Sequence, residues 1–125
     1  MLYRLCQRLG HNNLCILRVA ENALDIPGAI ISDVNAACGY ARFESSPAGL
    51  QMLNADHVYA PSWYDEDPYV RQRNGQRLQA ELLIPDQIAA SKITGIYVPS
   101  SETAARLRSQ GVHLEIVVDR YMFFL

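Results

Sequence analysis

The stretch QRLQAELLIPDQI, residues 76–88, decides how this chain is read. Leu78 to Ile84 has the composition of a strand. Pro85 ends it, because proline brings no N–H to a ladder. One residue stands against the pattern: Glu81, a carboxylate directly before Leu82, Leu83 and Ile84. Side chains alternate along a strand. Ala80, Leu82 and Ile84 therefore share one face, and Gln79, Glu81 and Leu83 the other. Both faces carry apolar residues, as in a strand covered on two sides. A carboxylate lying against buried surface needs a donor. On pattern alone the commoner meaning is a glutamate at a solvated position.

The residues before this strand bear on that choice. HVYAPSWYDEDPYVRQRNGQRLQAE, residues 57–81, brings Tyr59, Trp63, Tyr64 and Tyr69 together with Arg71, Arg73 and Arg77. Aromatic rings interleaved with guanidinium groups stack bases and hold phosphates. Asp65, Glu66 and Asp67 oppose a simple phosphate groove, and the same rings would serve equally to pack on a core. Asn54 to Asn74 is read as one long loop without clean periodicity. A loop of that length in a compact domain is usually functional or disordered.

The chain has 125 residues, half of them apolar, which suits one small α+β domain. A formal charge of −2 excludes a globally basic surface. Cys6, Cys15 and Cys38 form no CxxC pair and leave an odd count, which favours a reducing, cytoplasmic compartment. No signal-peptide core and no apolar run long enough for a membrane span occur. His57 and His113 are not at ligand spacing with cysteines, so no metal is expected. GxGxxG and GxSxG are both absent. Periodicity predicts a helix over 1–9, strands over 14–20 and 29–31, and a helix from Pro47 to Leu53 capped by Ser46. A helical turn follows at 85–90, then a strand over 93–98. Ser100 or Ser101 caps a helix over 102–110, ended by Gly111. A strand over 114–118 follows, and RYMFFL reads as a last edge strand. The 93–98 and 114–118 strands suit a parallel pair joined by the helix between them.

Five stretches together resemble the DarT family of DNA ADP-ribosyltransferase toxins: MLY at 1–3, ILRV at 16–19, SDVNAA at 32–37, RLQAELLIP at 77–85 and the aromatic close at 121–124. They stand in the family's order and extend over essentially the whole chain, and QAELL after a long variable loop is the most specific of them. The resemblance implies an ADP-ribosyltransferase-like mixed sheet with flanking helices. It implies that NAD is split at the nicotinamide glycosidic bond and that ADP-ribose passes to a base of single-stranded DNA, with no metal. Glu81 matches the family's catalytic glutamate, and Asn35 matches a polar residue lining the NAD pocket. The loop from about Ala37 to Gln79 matches the segment that contacts the DNA base. Tyr59, Trp63, Tyr64, Tyr69, Arg71, Arg73 and Arg77 are its candidate DNA-binding residues. A macrodomain antitoxin is the partner such toxins usually have.

The chemistry suits a carboxylate. Loss of nicotinamide leaves positive charge on the ribose, and a preorganised anion stabilises it. The same group can take a proton from the attacking base. The family pattern also has an upstream histidine and arginine that hold NAD. The chain begins at what resembles an interior methionine, so the N-terminal part of the fold is expected to be missing and NAD binding to be weak. Two other functions stay open at this point: an inactive remnant that binds single-stranded nucleic acid, and a structural domain that binds neither.

Overall fold

The computed structural model describes residues 2–125; Met1, the first residue of the expected opening helix, lies outside the described residues. In chain order the elements are α1 (Leu2–Leu9), β1 (Ile16–Val19), β2 (Ile30–Ser32), β3 (Phe43–Ser45), α2 (Ala55–Val58), α3 (Pro68–Arg77), β4 (Glu81–Leu83), β5 (Ile93–Val98), α4 (Ser101–Ser109) and β6 (Glu115–Val118). Short 3₁₀ turns occupy several connections. The class is α+β, as expected, but the strands form two three-stranded sheets. The chain folds as two compact units: residues up to Glu21 with Ala89–Leu125, and Asn22–Ile88.

The first unit carries the sheet β1-β5-β6. β1 runs antiparallel to β5, and β5 runs parallel to β6. A parallel pair needs a crossover, and α4 supplies it. Ser100 caps α4 by accepting from the Thr103 N–H, and Gly111 follows at φ +86°, where a Cβ would be strained. The apolar face of α4 settles on the sheet through Ile96, Val98 and Ala104, with Leu107, Val112 and Ile116 packed around them. One rung of the sheet is Arg18, Gly95 and Glu115. The Arg18 guanidinium crosses Gly95 to pair with Glu115, and a Cβ at Gly95 would stand 2.8 Å from Arg18 Nη2. The final residues make a 3₁₀ turn, Tyr121–Phe123, and not the expected edge strand. Asp119 Oδ1 accepts from the Tyr121 N–H at 3.0 Å and so favours a turn over a ladder. Phe123 is thereby placed fully out of water.

The second unit carries the antiparallel sheet β3-β2-β4. Ile31 and Leu82 stand opposite each other, and Ile31 is buried. The expected strand over 78–84 narrows to Glu81–Leu83, because residues 78–80 bond back to the last turn of α3. The expected strand at 29–31 shifts by one residue to Ile30–Ser32. The expected helix after Ser46 is a 3₁₀ turn, Ala48–Met52, and the Ser46 hydroxyl donates to the Leu24 carbonyl in place of capping it. The stretch read as one loop, 54–74, contains α2 and most of α3. Asn54 caps the first through the Asp56 N–H, and Asp67 caps the second through the Tyr69 and Val70 N–H groups. The expected helical turn at 85–90 is displaced: residues 85–89 bend without helical structure, with Asp86 at φ +63°, and a 3₁₀ turn begins only at Ala90 (Ala90–Lys92).

Candidate active site

β2 and β4 are hydrogen-bonded neighbours, with Ser32 opposite Glu81. The chain leaving β2 therefore passes the beginning of β4. Glu81 is half-buried there, and its Oε2 accepts from the Ala36 N–H at 2.8 Å. This is a charge-assisted bond from the backbone, so the carboxylate is held by a group with no rotamer freedom of its own. The bond engages Oε2 and leaves Oε1 uncommitted among the described residues. Asn35 steadies the donor segment. Its Oδ1 accepts from the Ala37 N–H at 2.9 Å, and its carbonyl accepts from the Cys38 N–H at 2.9 Å. Its Nδ2 faces Gln79 Oε1 at 3.4 Å, and Gln79 Nε2 donates to the Gly75 carbonyl at 2.9 Å. Residues 45 positions apart, Ala36 and Glu81, are thus joined in one network that ends on α3.

The loop residues separate into two groups. Trp63 is half-buried, with its ring about 3.9 Å from where a Cβ on Gly75 would be. Arg71 donates to the Asp65 carbonyl at 2.8 Å and lies over the Tyr64 ring at 4.8 Å from its centroid. These residues shape the loop around α3. Tyr59 and Tyr69 are mostly exposed, at 83% and 79%. Two of the acidic trio, which counted against phosphate binding, are engaged in local structure: Asp65 accepts from the Asp67 N–H, and Asp67 caps α3.

Arg73 and Arg77 line a cavity of about 310 Å³ within the second unit, and Glu81 is not among its lining residues. Arg42, His57, Asn54 and Tyr40, none of them singled out from sequence, line the same cavity. Arg77 Nη1 lies 3.4 Å from His57 Nε2. Arg42 is paired with Asp33, Nε to Oδ2 at 2.8 Å, and also donates its backbone N–H to Oδ1. Burial pushes the Asp33 carboxyl up, but the backbone N–H and guanidinium of Arg42 outweigh it and hold the group below the usual carboxylate value. Partial desolvation of the Tyr40 phenol, reinforced by the Cys38 thiol, pushes it up from its ordinary value although the ring is largely exposed. No spacing rule would have gathered these residues; pairing of β2 with β3 and packing of α2 on α3 bring them together. Among the described residues no group of three or more His, Cys, Asp or Glu side chains is arranged to hold a metal ion. No helix among them is long and apolar enough to cross a membrane.

Comparison with known proteins gives a consistent family. A family profile described as "ssDNA thymidine ADP-ribosyltransferase, DarT" matches residues 1–124. The search of curated proteins gave no match. Among solved structures, DarTG of Thermosipho africanus in complex with ADP-ribose superposes with a TM-score of 0.79 at 23% identity, over 100% of this chain and 33% of that one. DarT of Thermus sp. 2.9 in complex with NAD+ gives 0.75 at 19% identity, over 95% of this chain and 64% of that one. The same Thermus protein with ADP-ribosylated single-stranded DNA gives 0.75 at 19%, over 95% and 61%. The chain therefore spans between a third and just under two thirds of the length of these relatives. At these identities the superpositions establish the shared fold, and the profile match over nearly every residue establishes descent: the chain belongs to the DarT family of single-stranded-DNA thymidine ADP-ribosyltransferases.

Proposed function

We propose that this chain contributes the transfer step of its family, in which NAD is the consumed co-substrate and ADP-ribose passes to thymidine in single-stranded DNA. The observation that carries the reading is the carboxylate of Glu81, anchored through Oε2 by the Ala36 N–H with Oε1 left for chemistry. The C–N bond between ribose and nicotinamide breaks, and nicotinamide departs with the bonding pair. Positive charge develops on the ribose carbon, and an oriented carboxylate stabilises it without reorganising at the moment of reaction. The base forms the new bond to that carbon and gives up a proton, which Oε1 is suited to accept. Asn35 acts through the loop: its bonds to the Ala37 N–H and to Gln79 hold the segment that presents the Ala36 N–H.

The natural setting follows the same reading. The three free cysteines fit a reducing compartment, so the cytoplasm is the proposed location. A macrodomain antitoxin that removes the modification is the proposed partner. The experiment is transfer of label from NAD to a thymidine-containing single-stranded oligonucleotide. Glu81→Gln keeps size and an acceptor for the Ala36 N–H but removes the charge, and is expected to lower transfer by about 10²–10³. Transfer undiminished in that variant would remove Glu81 from the mechanism.

A further inference from the structure

The two sheets end on four strands that pair on one side only: β1 and β6 in the first unit, β3 and β4 in the second. An open edge presents unpaired N–H and C=O groups to other chains, and folds usually blunt it. Three of these edges are blunted. β1 carries a register shift between Arg18 and Val19. β3 has only three residues, with Glu44 at its centre. β4 also has three, and Pro85 follows shortly after it. β6 differs. Glu115–Val118 contains neither proline nor lysine, and its pairing with β5 is unbroken. Ile116, Val117 and Val118 are β-branched, the residue type best suited to a strand.

The hydrogen bonds of β6 show which of its groups are open. The Asp119 N–H donates to the Val98 carbonyl at 2.9 Å, so it points at β5. Backbone directions alternate along a strand, hence Glu115 and Val117 also face β5. Ile116 and Val118 face away, and no backbone group among the described residues meets them. Side chains alternate as well. Ile116 packs on the core beneath α4, and Leu114 and Val118, on the same face, are apolar and exposed.

Such an edge fits a second copy of itself. Two β6 strands set antiparallel about a twofold axis must place outward-facing residues opposite each other. Centred on Val117, the pairing sets Glu115 opposite Asp119 of the second copy, with like charges at both ends. Centred on Val118, it runs off the strand, since Arg120 already leads into the final 3₁₀ turn. Centred on Ile116, it sets Leu114 opposite Val118 and Ile116 opposite Ile116, all apolar. On the other face Glu115 meets Val117, and the exposed His113 meets Asp119. The Tyr121 and Met122 N–H groups occupy Asp119 Oδ1, and Oδ2 is uncommitted among the described residues. An imidazole thus faces a carboxylate oxygen with room for a donor. Charge selects this register.

We propose that the chain dimerises through β6, antiparallel and centred on Ile116, joining two β1-β5-β6 sheets into one. The Val118 N–H then donates to the Leu114 carbonyl of the second copy, and the two Ile116 residues bond to each other. The inference is independent of the proposed transfer, because Glu81 takes no part in it.

Sedimentation equilibrium of the 125-residue chain at pH 8, away from zero net charge near 5.8, measures the association, and amide exchange followed by NMR locates it. Raising the protein concentration is expected to slow exchange at Ile116 and Val118 and to leave Val117, already facing β5, unchanged. Val118→Pro deletes two donors from the symmetric pair and is expected to weaken the dimer roughly 30-fold. Proline is tolerated on an edge whose N–H faces solvent. Val118→Lys, a common guard of sheet edges, is a second variant expected to weaken it. His113→Lys is expected to tighten the dimer about fivefold, and His113→Asp to weaken it by about the same factor, through two symmetric pairs. Phe43→Ser with Leu83→Thr, on the other sheet, is expected to leave it intact. A parent chain still monomeric at about 1 mM overturns the proposal. So does a dimer that ignores both Val118 substitutions, or one that leaves exchange at Ile116 and Val118 unaltered. Equal dimer strength in the two His113 variants overturns the register, and the proposal with it.

Discussion

At Glu81 the deciding hydrogen bond comes from the backbone, whereas at Asp33 a side chain and a backbone N–H act together. Both are carboxylates near the same loop, and they have different work. Glu81 has one oxygen held and one uncommitted among the described residues. Asp33 has both oxygens engaged by Arg42, at 2.8 Å each. The ionisation of the Asp33 carboxyl is tied to the fold. Burial raises the Asp33 value, the two Arg42 bonds lower it by more, and the net direction is down from 3.8. A group whose folded value lies below its unfolded value stabilises the fold above the unfolded value. That stability is lost as pH falls through the folded value. Asp33→Asn is therefore expected to unfold more readily than the parent at pH 7 and to differ less from it below pH 3.8. Urea midpoints measured across this range check it. A gap between the two proteins that widens on acidification would contradict the assignment of the Asp33–Arg42 pair.

Among the elements, α3 carries the most consequence for function and was the least visible in the sequence. It presents Arg73 and Arg77 to the cavity, anchors Gln79 and backs onto Trp63. Its sequence, PYVRQRNGQR, has a single aliphatic side chain and no apolar stripe, so the usual periodic signal is absent. Its start rests on Asp67, whose Oδ1 accepts from the Tyr69 N–H at 2.8 Å, followed by Pro68 at the first helical position. Asp67→Ala is expected to cost about 1 kcal/mol and to raise hydrogen exchange along 69–77, as followed by mass spectrometry. No change in exchange there would mean that the helix is held by other interactions. The Asp-Pro pair was the signal by which α3 could have been found. β5, α4 and β6 were legible because a buried strand, a serine cap and a second apolar run coincide with regular spacing. β3 was not, since all three of its residues are exposed and no alternation marks it. Glu81 was legible as an anomaly within an apolar run, but its partner was not. Ala36 has no chemical label in sequence, and only the pairing of β2 with β4 brings its N–H to the carboxylate.

For the molecule as a whole, the balance of apolar surface against charge decides its behaviour in solution. Half of its residues are apolar, yet many large apolar side chains reach water. In the second unit they are ordered: the register places Ile30, Leu83, Phe43 and Glu81 on one face of the sheet, and the three apolar residues are all exposed. In the first unit Tyr121, Met122, Phe124 and Leu125 are exposed around the buried Phe123. Apolar patches of this kind associate when nothing repels them. Repulsion comes from net charge, which is only −2 at neutral pH and vanishes near pH 5.8. Light scattering by the chain is therefore expected to peak near pH 5.8 and to fall as pH is raised to 8. Phe43→Ser combined with Leu83→Thr changes no charge but removes two exposed apolar groups from one sheet face, and is expected to lower that peak without moving it. A peak that shifts with salt but ignores this double substitution would locate the association in charge alone. In that case the apolar face carrying Glu81 would have no part in holding copies together.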